Sequence, residues 1–243
     1  MSKPYLKLPA LIKTPYYQKV LRTQRANLLA YWPLWEASGA VAYDISGNAR
    51  HGAYTGVDLG QPGIGDGHTC PYFDGVNDYV NVYSTSLRDA YNGAEVTRMA
   101  WFKVYPTAWT DGQERIMFRL FADGDNFSSF YKGVTNSHIG FVHKAGGVSE
   151  DWWNLGYDST AWMHIAVTIS ESADVARGYI NGVQVGVDQT GLGVWAGQID
   201  SFLSTIGAGI INFPDYCWHG WLAHVPVWSI ALTGAEVANL AKL

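Results

Sequence analysis

Apolar and polar positions along this chain alternate with a period of two over many short stretches, each bounded by glycine, asparagine or proline, which is the pattern of strands joined by turns. From residue 28 the segment LLAYWPL is apolar and aromatic, and SGN within YDISGNARHGAYTG marks a turn in which Gly47 is free to take positive φ. In YFDGVNDYVNV the alternation assigns Tyr79, Asn81 and Tyr83 to one face and Val80 and Val82 to the other, around a tight loop. MAWFKVYP, RIMFRLFA, SHIGFVHK and WMHIAVTIS read as further strands, Pro106 suiting a strand end. GYINGVQVG predicts a hairpin, because Asn181 and Gly182 are the residues a type I′ turn needs at its two positive-φ positions. In WLAHVPVW, Pro226 predicts an edge or a bulge, since proline donates nothing to a ladder.

Helical periodicity is confined to the two ends. Thr14 before Pro15 is an N-cap and first-turn signal, and Tyr17, Val20, Leu21 and Gln24 trace a stripe, predicting a helix over residues 15–26. In LTGAEVANL, Thr233 and Glu236 form a capping box for a short terminal helix. The dozen residues before Thr14, with Pro4 and Pro9, read as extended and without a core of their own.

Composition sharpens this into an all-β protein. Of 243 residues, 48% are hydrophobic and 15% charged, enough to bury a core and too few charges for a solvated tail. Twenty-seven Gly, 15 Tyr and 11 Trp lean toward strands and glycine turns. No run of eighteen apolar residues exists, and MSKPYLKLPALIK lacks the apolar core and cleavage site of a signal peptide, so neither membrane insertion nor export is expected. Cys70 and Cys217 have no zinc spacing; a bridge between them stays open beside two buried free thiols.

Charge is unevenly spread. Residues 1–27 hold six basic residues and no acidic one, whereas the remainder carries ten basic against 21 acidic. Residues 1–27 are therefore read as a basic N-terminal arm with a short helix, and residues 28–243 as the β-sandwich domain. Because Lys3, Lys7 and Lys13 interleave with Leu6, Leu8, Leu11 and Ile12, the arm reads as a segment that docks on protein, with nucleic acid disfavoured.

AYWPLWEASGAVAYDISGNARHGAYTGV, FDGVNDYVNV, AWFKV, WMHIAVTIS, GYINGVQVG and HGWLAHVPVWSIALTGAEVANL occur in the order expected of a laminin G-like, concanavalin A-like domain, which the chain resembles over about residues 16 to 243. The resemblance implies a jelly roll of two antiparallel sheets whose first and last strands lie near each other. The tyrosine-rich helix before AYWPL and the closing LAHVPVW look like the variant frequent in tailed-phage structural proteins; other relatives are appended to secreted bacterial enzymes.

Related folds host glucanases that need paired carboxylates in an E-x-D-x-x-E pattern, and none of Glu36, Glu95, Glu114, Glu150, Glu171 and Glu236 opens that motif. Glu171 and Asp174 come nearest but flank a turn, and no G-x-S-x-G elbow is present. His164 and His224 read as packed strand residues, so no enzyme is expected. The resemblance also implies an edge site for calcium, to which Asp44 and Asn48 correspond, although Ala223 stands where relatives with the site carry Asp; the residue reading of Asp44 alone is an Asx turn. For a glycan or a protein partner, Trp109, Trp152, Trp153 and Trp195 lie beside turn residues, with Asp151, Asn154 and Asp158 as polar neighbours.

Three functions compete: a non-catalytic virion protein, as a capsid decoration or tail-associated subunit; a bacterial glycan-binding module at the cell surface or outside the cell; and a diverged glycosidase. The basic arm favours the first, with capsid or tail proteins and further copies of the chain as partners and surface glycans as a further ligand.

Overall fold

The computed structural model describes residues 14–134, 138–155, 159–211 and 215–243, the side chains of 152–155 excepted. The arm positions Lys3, Leu6, Lys7, Leu8, Leu11, Ile12 and Lys13 lie outside the described residues, as does Asp158. The strands are β1 (Leu28–Trp32), β2 (Val41–Ala42), β3 (Gly52–Thr55), β4 (Asp58–Pro62), β5 (Thr69–Asp74), β6 (Tyr79–Asn81), β7 (Glu95–Val104), β8 (Arg115–Asp123), β9 (Asn126–Lys132), β10 (His138–Ala145), β11 (Val148–Leu155), β12 (Met163–Ser170), β13 (Val175–Ile180), β14 (Val183–Gln189), β15 (Thr205–Ile206), β16 (His219–Ala223) and β17 (Val225–Trp228). Helices α1 (Tyr16–Arg22), α2 (Thr85–Ala90) and α3 (Gly234–Leu240) accompany them.

Two antiparallel sheets result. The nine-stranded sheet runs β14-β13-β12-β7-β16-β5-β4, with β17 joining β7 to β1; the eight-stranded sheet runs β11-β10-β9-β8-β15-β6-β3-β2. As the resemblance implied, the first and last strands are neighbours, Leu28 pairing with Trp228. Each sheet turns one face inward, and Trp32, Phe73, Phe102, Phe118, Phe130, Phe141 and Trp218 fill the space between. Val80 and Val82 belong to that core as their alternation required, but the loop before them joins different sheets, so β5 and β6 do not form a hairpin.

The Asn181–Gly182 turn is present between β13 and β14, with φ of 50° and 78°. Pro226 sits at an irregularity: β16 ends opposite Trp101 and β17 rejoins β7 opposite Arg98, so one extra residue is accommodated where His224 takes φ 51°. Thr233 and Glu236 form the capping box of α3. Helix α1 is shorter than its stripe and starts after Pro15, because Thr14 makes no cap; residues Arg25–Asn27 form a separate 3-10 turn. Strands β9 and β11 have no counterpart in the periodicity reading, since FSSFYK and VSEDWWNL break the alternation of types.

The outer face of the nine-stranded sheet is covered by the two terminal helices. Tyr16 and Val20 of α1 and Val237 and Leu240 of α3 close over Tyr31, Met99, Trp101, Ala166, Ala223 and Trp228. The Tyr16 hydroxyl donates to Leu240 O at 2.8 Å and accepts from Trp101 Nε1 at 2.8 Å, while Trp228 Nε1 donates to Thr23 O. Residues from Tyr16 onward thus lie against the sandwich. Cys70 and Cys217 are free and buried, and burial raises their thiols to about 12 and about 11.

Candidate functional site

Alternation on β8, β9 and β10 sends Phe118, Phe130 and Phe141 inward and leaves Arg119, Phe127, Ser129, Tyr131, Gly140 and Val142 on the outside of the eight-stranded sheet. Among the described residues no helix covers them. Arg119, Phe127, Ser129, Tyr131 and Val142 floor an open cavity of about 370 Å³, walled by Glu114, Ile116, Asp151 and Tyr216. A second cavity of about 540 Å³, which includes Arg115, Gln113 and Asp215, shares Glu114 and Tyr216 with the first, so the two form one groove. The size is that of a ligand cleft.

Three features hold the groove's shape. Asp111 accepts from Arg115 Nε at 2.8 Å and from Lys132 Nζ at 3.1 Å, locking the start of β8 to the end of β9. Gly140, opposite Tyr131 in register, leaves room for that ring, since a Cβ there would lie 2.2 Å from it. Tyr216 is held at φ 53°, a strained conformation for a bulky residue, and its carbonyl accepts from Ile116 N–H at 2.7 Å.

The chemistry is polar on an aromatic base. The Arg119 guanidinium lies 4.3 Å from the Phe121 centroid and 5.2 Å from that of Phe127, and burial lowers its pKa. Its Nε–H has no partner, and neither has the hydroxyl of Ser129, which is 2% exposed. Such groups are seldom left unpaired in a native interior, and both of these residues line the groove. Tyr131 donates to Asp151 Oδ1 at 2.7 Å. Burial raises the Glu114 carboxyl; Arg119 opposes this, and the charges of Asp151 and Asp215 add to it.

Of the residues singled out from sequence, Asp151 stands in this groove. Trp152, Trp153 and Asn154 lie on β11, in register opposite Phe141, Gly140 and Ile139, and their side chains are outside the described residues. Two expectations are corrected. Trp109 is buried and donates to Ser159 O at 3.0 Å, and Trp195 is buried between His143 and Tyr91; both are core rings with no face for a sugar. Asp44 and Asn48 do not fit calcium. The Asp44 carboxylate accepts from the N–H of Tyr31, Ser46 and Arg50 and from the Ser46 hydroxyl, while Asn48 Nδ2 donates to Leu28 O and Leu29 O. The Asx-turn reading describes these residues; among the described residues no cluster of metal-ligating side chains occurs.

His164 is a packed strand residue of β12; His224 is equally buried but stands at the irregularity between β16 and β17 rather than in a strand. Burial lowers His164 to about 3, with Met99 Sδ 3.4 Å from its Nε2. His224 bridges Tyr31 and Asp66, at 2.6 Å from Nδ1 and 3.0 Å from Nε2. Burial lowers its pKa, and ionised Asp66 can only accept, so Nε2 carries the proton and Nδ1 accepts from Tyr31. Glu171 and Asp174 flank the turn after β12 and hold the next loop, accepting from the N–H of Trp195 and of Gly191 and Leu192.

Sequence reasoning missed Arg119, Ser129, Tyr131 and Tyr216. Arg119 had a signal, being the polar residue inside RIMFRLFA; Ser129 and Tyr131 had none, because FSSFYK carries polar side chains on both faces.

The family described as the concanavalin A-like lectin/glucanases superfamily matches residues 73–238. No curated protein matches significantly. Similar solved structures include the botulinum neurotoxin serotype D binding domain, at 15% identity and TM-score 0.64, covering 89% of this chain and 52% of that one. Domain 4 of AbnA, an extracellular arabinanase from Geobacillus stearothermophilus, in complex with arabinotriose, is similar at 17% identity and TM-score 0.59, covering 89% and 98%. Trypanosoma rangeli sialidase in complex with sialic acid is similar at 12% identity and TM-score 0.63, covering 89% and 33%. The chain thus spans about half the length of the toxin binding domain it matches, and at these identities the likeness is one of fold.

Proposed function

The chain belongs to the concanavalin A-like lectin/glucanases superfamily, and on that footing we propose that it is a non-catalytic recognition domain that binds a carbohydrate in the groove outside its eight-stranded sheet. The observation that carries this reading is the pair of unpartnered groups at the groove floor, Ser129 Oγ and Arg119 Nε–H, beside two carboxylates able to accept from vicinal hydroxyls. Tyr216, which is exposed, adds ring surface, which packs well on sugar C–H groups. Two structures of similar fold are described with saccharides, arabinotriose and sialic acid, which accords with a carbohydrate ligand.

The test is a glycan-array survey followed by calorimetry with wild-type protein and Ser129→Ala. Binding should weaken about three- to tenfold in the variant, the equivalent of one hydrogen bond, with no reducing ends released from any ligand bound. Absence of binding across the array, or turnover lost in Glu114→Gln, would overturn it.

The setting we propose is a virion, where the domain serves as a capsid decoration or tail-associated subunit and the arm of Lys3, Lys7 and Lys13 with Leu6, Leu8, Leu11 and Ile12 docks on a neighbouring capsid or tail protein or another copy. A bacterial cell-surface or extracellular module is the other setting consistent with a groove of this kind. Among the described residues no helix is long and apolar enough to cross a membrane.

A further inference from the structure

Which carbohydrate the groove takes follows from its charges. Three carboxylates surround it, those of Glu114, Asp151 and Asp215. Two of the nearby cations are drawn to one carboxylate: Lys132 and Arg115 both clamp Asp111, and Arg115 Nη1 also donates to Cys217 O at 2.5 Å. Among the described residues the balance, Asp111 included, is four carboxylates against the three cations Arg115, Lys132 and Arg119, an excess of one negative charge. Asp151 accepts from the neutral Tyr131 hydroxyl and Asp215 from the N–H of Tyr216, so neither gains a counter-charge. The excess is negative, and it stands in a partly desolvated groove where charge is poorly screened.

A bare metal ion does not meet this need, because among the described residues no three acidic or other ligating side chains come close enough to hold one. The carboxylates are spread over a groove of saccharide dimensions, with the unpartnered Ser129 hydroxyl at its floor. Resting on the reading of the groove as a carbohydrate site, we propose that its ligand is an amino sugar with a free ammonium, a glucosamine-type unit whose cation sits between Glu114 and Asp151 while its hydroxyls reach Ser129 and Arg119. Acidic saccharides are repelled by the same carboxylates, and N-acetylation removes the charge the groove lacks.

The experiment titrates the full chain calorimetrically with three oligosaccharides of about equal length: β-1,4-linked glucosamine, its fully N-acetylated form, and an acidic galacturonate oligomer. At about pH 6 and low salt the glucosamine oligomer should bind at least about tenfold more tightly than the N-acetylated one, and the advantage should shrink in about 0.5 M salt. Glu114→Gln and Asp151→Asn should each reduce the ratio of the two affinities, whereas Asp58→Asn, on the nine-stranded sheet, should leave it unchanged. That control separates the groove from general attraction to an acidic protein. Thermal melts of each variant confirm folding, and the wild-type ratio stands without them. Equal or tighter binding of the N-acetylated or acidic oligomer overturns the amine assignment while leaving the groove as a carbohydrate site. Binding of none of the three, together with a blank glycan array, overturns the groove reading itself.

Discussion

On the outside of the nine-stranded sheet, Tyr16, Val20, Val237 and Leu240 close over Trp101 and Trp228, and the polar atoms of Tyr16, Tyr31, His224 and Asp66 are joined to one another or to backbone. On the outside of the eight-stranded sheet, Tyr131 and Arg119 face an open groove, and Ser129 Oγ and Arg119 Nε–H are joined to nothing. Both faces are built from the outward half of an alternating strand pattern. The difference lies in what covers them. Where the terminal helices supply apolar surface, a polar side chain finds its partner inside the protein, as His224 does, or costs stability, as the unpartnered Nδ1 of His164 does. Where none of the described helices arrives, unpaired groups can be kept for a ligand.

The largest expected effect breaks the covered face. Trp228→Ala removes a fully buried ring and its bond to Thr23 O, and should cost about 3–5 kcal/mol in urea unfolding, as for other buried aromatic truncations. Ligand affinity measured well below the transition should not change, because the groove lies on the other sheet. A loss below about 1 kcal/mol would show that the helical cover is not a main support of the fold.

A smaller effect tests how dry that cover keeps His164, which lies against Trp101 beneath it. Its pKa is held at about 3, below the ordinary value near 6.5, so between these limits the unfolded chain binds the extra proton. Its contribution is therefore whole above about pH 6.5 and is lost progressively as pH falls toward about 3, on the order of 3 kcal/mol between pH 7 and pH 4. Urea midpoints across that range should fall in the wild type and fall less in His164→Gln. Equal slopes would mean that water reaches the ring.

The smallest stability effect is expected from deleting residues 1–13, which precede the first buried residue of the cover, Tyr16. The melting temperature should move by no more than about 2 °C, while assembly on a particle or with other copies is lost. A drop of many degrees with assembly intact would make the arm part of the cover instead.

Much of this architecture was legible locally. Asn181–Gly182, the Thr233–Glu236 box and the Val80/Val82 face each depend on residues within a few positions of one another, where sterics and short-range hydrogen bonds decide conformation. Tryptophans beside turn residues misled: Trp109 and Trp195 lie next to glycine and polar positions in sequence, yet both rings enter the core because their loops fold back over it. The Asp44 turn was read from its spacing as an Asx turn, and only the structure supplied Tyr31 and Arg50 as further donors to the same carboxylate.

By itself, then, the order of apolar, aromatic and glycine positions determined that this chain builds strands and turns them at definite places, because period-two burial and positive-φ turns are local constraints, whereas the two-sheet sandwich was what the family resemblance implied. Only the tertiary structure decided which outer face is sealed and which is open, since that depends on where helices from opposite ends of the chain come to rest. It also decided which of many similar carboxylates and hydroxyls remain unpaired: partners such as Lys132 for Asp111 and Asp66 for His224 are separated by 21 and 158 positions, and no pattern along the chain encodes those meetings.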